Sequence, residues 1–313
     1  MTLTKDFDYA TLGFKELIAE RDGGILVVTI NRAKERNSFT RLFAEEFVRV
    51  FELADQDDRV HVVIFTADPT APAYCSGAGL SGSWNGLFTE EELKEGGDHS
   101  HRDTGGFVTF AVLNCRKITI AAVNGHAAGV GLTGLQLPFD FRFIWGGAKL
   151  TFPFVRRGIV PEAISSDLLP KLVGHANARA VLLSGLTYTP THPLLSQLYP
   201  PLTPDYPTIL PERQDVLPAA LAFARNLAAN TSQISVAYTK SLLLHPGTTV
   251  EESHLNESHA LQKVVMNGTD PTEGVKSFMQ KREPAFKDRL GTVKGGWSPW
   301  WRPLEVRLRR SKL

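Results

Sequence analysis

Short apolar runs alternate with amphipathic stretches as far as about Gly174, and beyond that point helical spacing takes over. Gly24 to Ile30 (GILVVTI) is an uninterrupted apolar run bounded by Gly23 and Asn31, the pattern of a strand buried on both faces. Thr40 is placed to cap a helix whose Phe43, Phe47, Val50, Phe51 and Ala54 fall on one side, with Glu45, Glu46 and Arg49 on the other. Val60 to Thr66 reads as a second buried strand. Strand, helix and strand in succession predict a parallel sheet in an α/β fold. Gly105 to Cys115 is expected as a helix, Lys117 to Val123 as a third strand, and Phe139 to Ile144 and Leu150 to Phe152 as two more. Between them, a helix is expected to run from the glycines after Val123 to about Leu137. Gly158-Ile159-Val160-Pro161-Glu162 is expected to open another helix, with Pro161 at its first position. After Gly174, Ala178 to Ser184, Leu217 to Ala229, Gln233 to His245, Val250 to Met266 and Thr272 to Phe286 all carry helical spacing, and no internal repeat is visible. The last four predict a helical subdomain from about Leu217 to Leu290.

Composition narrows the partners. The 313 residues and 42% hydrophobic content suffice for one main core with a smaller helical appendage. A formal net charge of +1 provides no electrostatic footprint for nucleic acid or an anionic membrane, so a small-molecule partner is expected. Cys75 and Cys115 are the two cysteines; they lack metal-ligand spacing and are too few for a disulfide framework, which predicts no metal site and a reducing compartment. No apolar run reaches membrane-spanning length, and the N-terminal stretch has neither a basic nor an apolar leader region, so a soluble, non-secreted chain is expected. The sequons at Asn230, Asn256 and Asn267 are then expected to be idle. The chain ends Ser311-Lys312-Leu313, a tripeptide that the peroxisomal import receptor reads as an address. Upstream, 291–303 is rich in Gly, Pro and Trp and reads as a linker that docks Trp297, Trp300 and Trp301 on a neighbour.

Two glycine-rich turns are the candidate chemistry. Ser76, Gly77, Ala78 and Gly79 follow the second strand, where small residues leave backbone N–H groups free to face a ligand. Gly125, Gly129 and Gly131 follow the third. Gly129, Gly131 and Gly134 fit G-x-G-x-x-G, but 145–160 holds no acidic residue to complete a dinucleotide site and the turn lacks the lysine of a phosphate loop. Because both turns follow parallel strands, the turns around Ala78 and Val130 are expected near each other, where two converging N–H groups would make an oxyanion hole for a carbonyl that gains charge. Glu162 is the candidate proton shuttle; the plainer reading is an acid favoured by the dipole of a helix's first turn. The polar stretch 84–104, with Glu90, Glu91, Glu92, His99 and His101, reads as a loop bordering a pocket.

These blocks resemble the crotonase, or enoyl-CoA hydratase/isomerase, superfamily over about residues 20 to 290. The matching stretches are Thr29-Ile30-Asn31-Arg32 with Asn37, Tyr74 to Leu80, Ala122 to Gly129, and Phe152-Pro153 running into Gly158 to Glu162. The resemblance implies an α/β fold with a crotonase-like repeated ββα core (21–214), an N-terminal extension (1–20), a helical C-terminal oligomerisation subdomain (215–290) and a tail (291–313). It also implies acyl-CoA substrates, with no cofactor beyond the coenzyme A they carry, and a trimeric or hexameric homo-oligomer. It places the oxyanion donors at Ala78 and Val130 and the acyl-CoA path along Ser76, Gly77, Ala78, Gly79, Leu80 and Gly129. Hydratases similar to mitochondrial crotonase use two glutamates; Thr133 and Phe154 stand at those positions, and Gly79 replaces a common aspartate. Glu162, with Ser165-Ser166 after it, looks like the single glutamate of the peroxisomal delta3,delta2-enoyl-CoA isomerases. A buried Glu162, packed among Phe152, Phe154 and Val160, would have the raised pKa such a base needs. Isomerisation of 3-enoyl-CoA is the leading expectation. Hydration of 2-enoyl-CoA and a non-catalytic acyl-CoA-binding subunit are the alternatives.

Overall fold

The structure, a computed structural model, describes residues 7–79, 101–291 and 299–301. Its centre is a six-stranded sheet in the order β1-β2-β3-β5-β7-β10, formed by β1 (Leu17–Asp22), β2 (Ile25–Ile30), β3 (Val62–Ala67), β5 (Ile118–Val123), β7 (Phe141–Trp145) and β10 (Ile209–Leu210). Every neighbour pair is parallel except the β1/β2 hairpin. All six residues of β3 and of β5 are buried, as continuous apolar runs without alternation require.

A second, four-stranded sheet stands beside it in the order β4-β6-β8-β9, built from β4 (Ala73–Cys75), β6 (His126–Ala128), β8 (Leu150–Thr151) and β9 (Thr187–Tyr188). The two sheets share their connectivity. In the pairs β3/β4, β5/β6 and β7/β8 the first strand joins the large sheet and the second joins the small one. That is the repeated ββα arrangement expected of the core.

Helix α1 (Arg41–Gln56) begins at Thr40, whose hydroxyl accepts from the Phe43 amide at 3.1 Å. Its Phe43, Phe47 and Phe51 meet Phe65 and Phe139 in an aromatic cluster with ring centroids 4.4 to 6.2 Å apart. Glu46, expected on the solvent side of α1, is buried: its carboxylate accepts from the amides of Lys15, Glu16 and Leu17 and so holds the chain entering β1. The core therefore starts ahead of residue 21, because β1 pairs with β2 from Leu17↔Ile30 to Asp22↔Ile25 and buries Leu17 and Ala19.

Helix α2 (Thr104–Asn114) and α3 (Val130–Thr133), a single turn, come next, then α4 (Ser165–Val173) and α5 (His175–Ser184). The helix expected to reach Leu137 stops at Thr133. There the Arg142 guanidinium and Gln136 amide take up the carbonyls of Gly131, Gln136 and Phe139 in an irregular turn instead. The C-terminal helices are α6 (Val216–Asn230), α7 (Gln233–Leu244), α8 (Val250–Asn267) and α9 (Asp270–Gln280). Helix α9 ends at Gln280, short of the expected Phe286, with Lys281 in the left-handed region. Helix α6 covers the outer face of the large sheet: Phe223 packs on Phe141 and Phe143, and Val216, Ala220 and Ala224 are buried there. Of the expected docking tryptophans, Trp300 donates to the His245 carbonyl at 3.1 Å and Trp301 stacks on the His245 ring at 3.9 Å, whereas Trp297 lies outside the described residues.

Candidate active site

The site begins with the parallel pairing of β4 and β6, Ala73 against His126 and Cys75 against Ala127. Parallel strands end at the same edge, so the turns that follow them emerge side by side. On the first turn, Gly77 has φ +93°, its carbonyl accepts from the Phe39 amide at 2.9 Å, and the Gly79 amide donates to the Phe39 carbonyl at 2.9 Å. These bonds flank Ala78 and leave its N–H without a hydrogen-bond partner among the described residues. On the second turn, Gly129 (φ +52°) donates to the Thr151 carbonyl at 3.0 Å, and its own carbonyl accepts from Leu132 and Thr133. Val130 is then the first residue of α3, where a helical N–H has no intrahelical acceptor. The turns touch directly. A Cβ on Gly77 would lie 3.2 Å from the Ala128 carbonyl oxygen, and one on Gly131 2.7 Å from that of Cys75. Glycine is what lets backbone meet backbone here.

Asn37 fixes the first turn from behind. Fully buried and left-handed at φ +53°, it donates to the Ala73 carbonyl at 2.8 Å and accepts from the Arg32 amide. Ser76 is exposed, Gly77 and Gly129 are buried, and Ala78 and Gly79 are half-buried; Leu80 lies outside the described residues. So do Glu90, Glu91, Glu92, His99 and the tripeptide Ser311-Lys312-Leu313. His101 is half-buried ahead of α2.

Glu162 does not stand in a helix. The helix expected from Pro161 starts only at Ser165, because Ala163 and Ile164 both adopt left-handed backbone, φ +56° and +59°. The reason is in the partners of Ala163: its amide donates to Asp103 Oδ1 at 3.1 Å, and its carbonyl accepts from the Thr109 hydroxyl at 3.1 Å. Asp103 is the N-cap of α2, so α2 holds the turn that carries Glu162. The Glu162 carbonyl in turn accepts from the amide and hydroxyl of Ser165, at 3.1 and 2.6 Å.

The Glu162 side chain points back toward the second turn. Thr133 Oγ1 donates to Glu162 Oε1 at 2.5 Å. On the other side the carboxyl lies against Gly105 in the first turn of α2, where any Cβ would collide with Oε2. Glu162 keeps some solvent contact, yet protein fills most of the volume around its carboxyl, and this burial pushes its pKa up to about 7. The Thr133 hydrogen bond opposes the rise and the nearby Asp103 carboxylate adds to it. Val160, expected to cover Glu162, is 78% exposed. Phe152 and Phe154 are buried, but the groups shown against the carboxyl are Thr133, Gly105 and Asp103.

Sequence reasoning missed Asp103 and Gly105. A signal was available: Asp103-Thr104-Gly105-Gly106 puts a capping aspartate ahead of two glycines that weaken a helix by roughly 1 kcal/mol each relative to alanine. Such a pair inside a helix start asks for a close neighbour. Chemically, the arrangement combines two amide donors at one sheet edge with a carboxyl able to gain or lose a proton near neutrality. Among the described residues, no cluster of His, Cys, Asp and Glu is arranged to hold a metal ion.

The model of the family described as enoyl-CoA hydratase/isomerase matches residues 20–289. The enoyl-CoA hydratase AFT3-1 of Alternaria alternata is 37% identical over 272 residues, covering 87% of this chain and 86% of the relative. A probable peroxisomal enoyl-CoA hydratase of Arabidopsis thaliana is 34% identical over 172 residues, covering 55% of this chain and 60% of the relative. Among solved structures, a probable enoyl-CoA hydratase/isomerase from Mycobacterium abscessus superposes with a TM-score of 0.73 at 30% identity, covering 88% of this chain and 98% of that one.

Two outcomes follow from the packing of Glu162. In Gly105→Ala the new methyl group meets Oε2 and, at 3.1 Å, Ala163 Cβ, so it must push a buried carboxyl away from Thr133. Melting temperature should not rise despite the better helix propensity of alanine, and turnover on an enoyl thioester should fall at least ~10-fold. The second outcome concerns pH. Between the ordinary value of about 4.5 and the folded value of about 7, the folded chain binds more protons than the unfolded one. Glu162 therefore makes stability fall as pH rises through that window. Urea titrations of Glu162→Gln should show it more stable than the parent above pH 7 by about 1–3 kcal/mol, with the difference gone below pH 4.5.

Proposed function

The chain belongs to the enoyl-CoA hydratase/isomerase family, and we propose that within it this enzyme shifts the double bond of a 3-enoyl-CoA to the 2-position. The observation that carries the reading is the Glu162 carboxyl held by Thr133 beside the second turn, with Asp103 the one other acid shown acting on it among the described residues. Asp103, the other acid beside it, is committed through Oδ1 to the amides of Gly106 and Ala163. Thr133 and Phe154, which replace the glutamates of two-acid hydratases, have no acid–base function at neutral pH.

The chemistry needs one base that becomes an acid. Ionised Glu162 removes a proton from C2, which is acidified by the thioester carbonyl and the adjacent alkene. The electron pair moves into a dienolate whose oxygen takes hydrogen bonds from the Ala78 and Val130 amides. The protonated carboxyl then returns the proton at C4, which leaves the double bond between C2 and C3. A pKa near 7 suits both halves of the cycle. The acyl-CoA follows Ser76 to Leu80 and Gly129, and coenzyme A arrives as part of the substrate.

A second reading, hydration of 2-enoyl-CoA, is favoured by the names of the Alternaria relatives. Purified full-length protein offered 3-enoyl-CoA and 2-enoyl-CoA separately decides between the two. Double-bond shift with little 3-hydroxyacyl product supports isomerisation, and faster water addition replaces it with hydration. Glu162→Gln should reduce kcat by roughly 10²- to 10⁴-fold. Val130→Pro removes a donor at a helix position that tolerates proline and should reduce kcat by about 10²-fold.

The helices α7 to α9 expose Leu243, Val250, Leu261, Met266, Phe278 and Met279, which supports a homo-oligomer, taken here as a trimer or hexamer. Sedimentation should show that mass, and Phe278→Glu should reduce it. Peroxisomal delivery through the import receptor is proposed on Ser311-Lys312-Leu313. A fluorescent protein fused to the N-terminus should enter peroxisomes, and should remain outside when the tripeptide is deleted.

A further inference from the structure

Thr133 occupies a hydratase-type glutamate position, yet its own surroundings give it a different task. The residue is fully buried at the end of α3, and its hydroxyl has two neighbours, Glu162 Oε1 at 2.5 Å and the Gly129 carbonyl oxygen at 3.3 Å. A hydroxyl carries one proton. Facing an ionised carboxylate, which can only accept, Thr133 must donate to Glu162. When Glu162 takes up a proton at Oε2, Oε1 remains an acceptor, so the Thr133 bond persists in both states of the carboxyl. The bond is stronger to the ionised form, which is why it opposes the rise in the Glu162 pKa.

The same bond selects an oxygen. With Oε1 tied to Thr133, Oε2 is the atom lying against the bare Cα of Gly105, and among the described residues it has no hydrogen bond. Gly129, the second acceptor, immediately precedes Val130. One hydroxyl therefore links the carboxyl to the turn that presents a backbone donor.

We infer that Thr133 is a positioning residue: its hydroxyl clamps Glu162 Oε1, leaves Oε2 to carry the proton, and keeps the carboxyl in register with the Val130 amide. This inference rests on the reading of Glu162 as the base. The titratable groups coupled to Glu162 among the described residues are Asp103, at the head of α2, and the Cys75 thiol, at the end of β4. The thiol is itself pushed up to about 12 by burial and stays neutral throughout the working range. Asp103 and Thr133 act on Glu162 in opposite senses, and only Thr133 touches it through a hydrogen bond.

The test is a carboxyl titration read alongside kinetics. Full-length protein labelled with ¹³C at the glutamate side-chain carboxyl is titrated by NMR, with Glu162→Gln used to assign the resonance. Thr133→Ala and Thr133→Val should move the Glu162 inflection upward by about one unit and lower kcat on 3-enoyl-CoA at least ~10-fold, with KM changed little. Thr133→Ser, which keeps the hydroxyl, should restore both. At pH values above the new inflection the alanine variant should recover only part of its rate, because the carboxyl is ionised but no longer aimed. An unmoved inflection in Thr133→Ala, or a serine variant as impaired as alanine, overturns the inference, as does full recovery at high pH. Should Glu162→Gln retain parental turnover while Thr133→Ala still shifts the titration, the reading of Glu162 as base is lost and the Thr133 clamp on the carboxyl stands.

Discussion

The pairing of two three-residue strands, β4 and β6, is the constraint from which the rest of the site follows. Strands this short contribute few ladder hydrogen bonds. What holds them in register is the packing of their turns, where Gly77 meets Ala128 and Gly131 meets Cys75 with no side chain between. The pairing is parallel, so both chains leave at one edge, and both place there an amide that has no partner among the described residues. An antiparallel pair would have sent the two turns to opposite ends. The connectivity that feeds first strands to the large sheet and second strands to the small one makes the parallel pairing unavoidable.

Against that edge the protein brings a carboxyl that burial disfavours. Desolvation drives Glu162 toward its neutral form, the Thr133 hydroxyl draws it back toward the ionised form, and the balance falls near neutrality. Two consecutive left-handed residues, Ala163 and Ile164, carry the backbone past the site at a cost of order 1–2 kcal/mol each. Asp103 and Thr109 offset that strain by taking both polar groups of Ala163. Helix α2 does three things for the site: it supplies those two partners, leaves room for Oε2 at Gly105, and adds the Asp103 charge that raises the Glu162 pKa.

Much of this was legible along the chain. The long strands β2, β3, β5 and β7 announced themselves as apolar runs, Thr40 as a cap, and the C-terminal helices by their spacing. Both glycine turns and Glu162 stood out before any coordinates. Of the small sheet only β8 was expected, as the short run Leu150 to Phe152; β4, β6 and β9 were not, since strands of two or three residues are shorter than any period can register. Glu46 was misplaced because a charged side chain in a helix is assumed to seek water, whereas here three amides of the entering strand pay for its burial. Glu162 was set in a helix because Pro-Glu is a common helix start. Local propensity gave way to the two α2 side chains that capture Ala163.

By itself, then, the sequence determined which residues are the candidates for the chemistry: two glycine turns, one glutamate, and a threonine and a phenylalanine at the positions where similar two-acid hydratases carry glutamates. These are matters of residue type and order, and they are written in the chain. Only the tertiary structure decided how the glutamate is tuned and aimed. Its neighbours Thr133, Asp103 and Gly105 are 29 to 59 residues away in sequence and meet it only after the sheets have closed. A pKa and a direction are properties of that surrounding volume, and no local pattern encodes them.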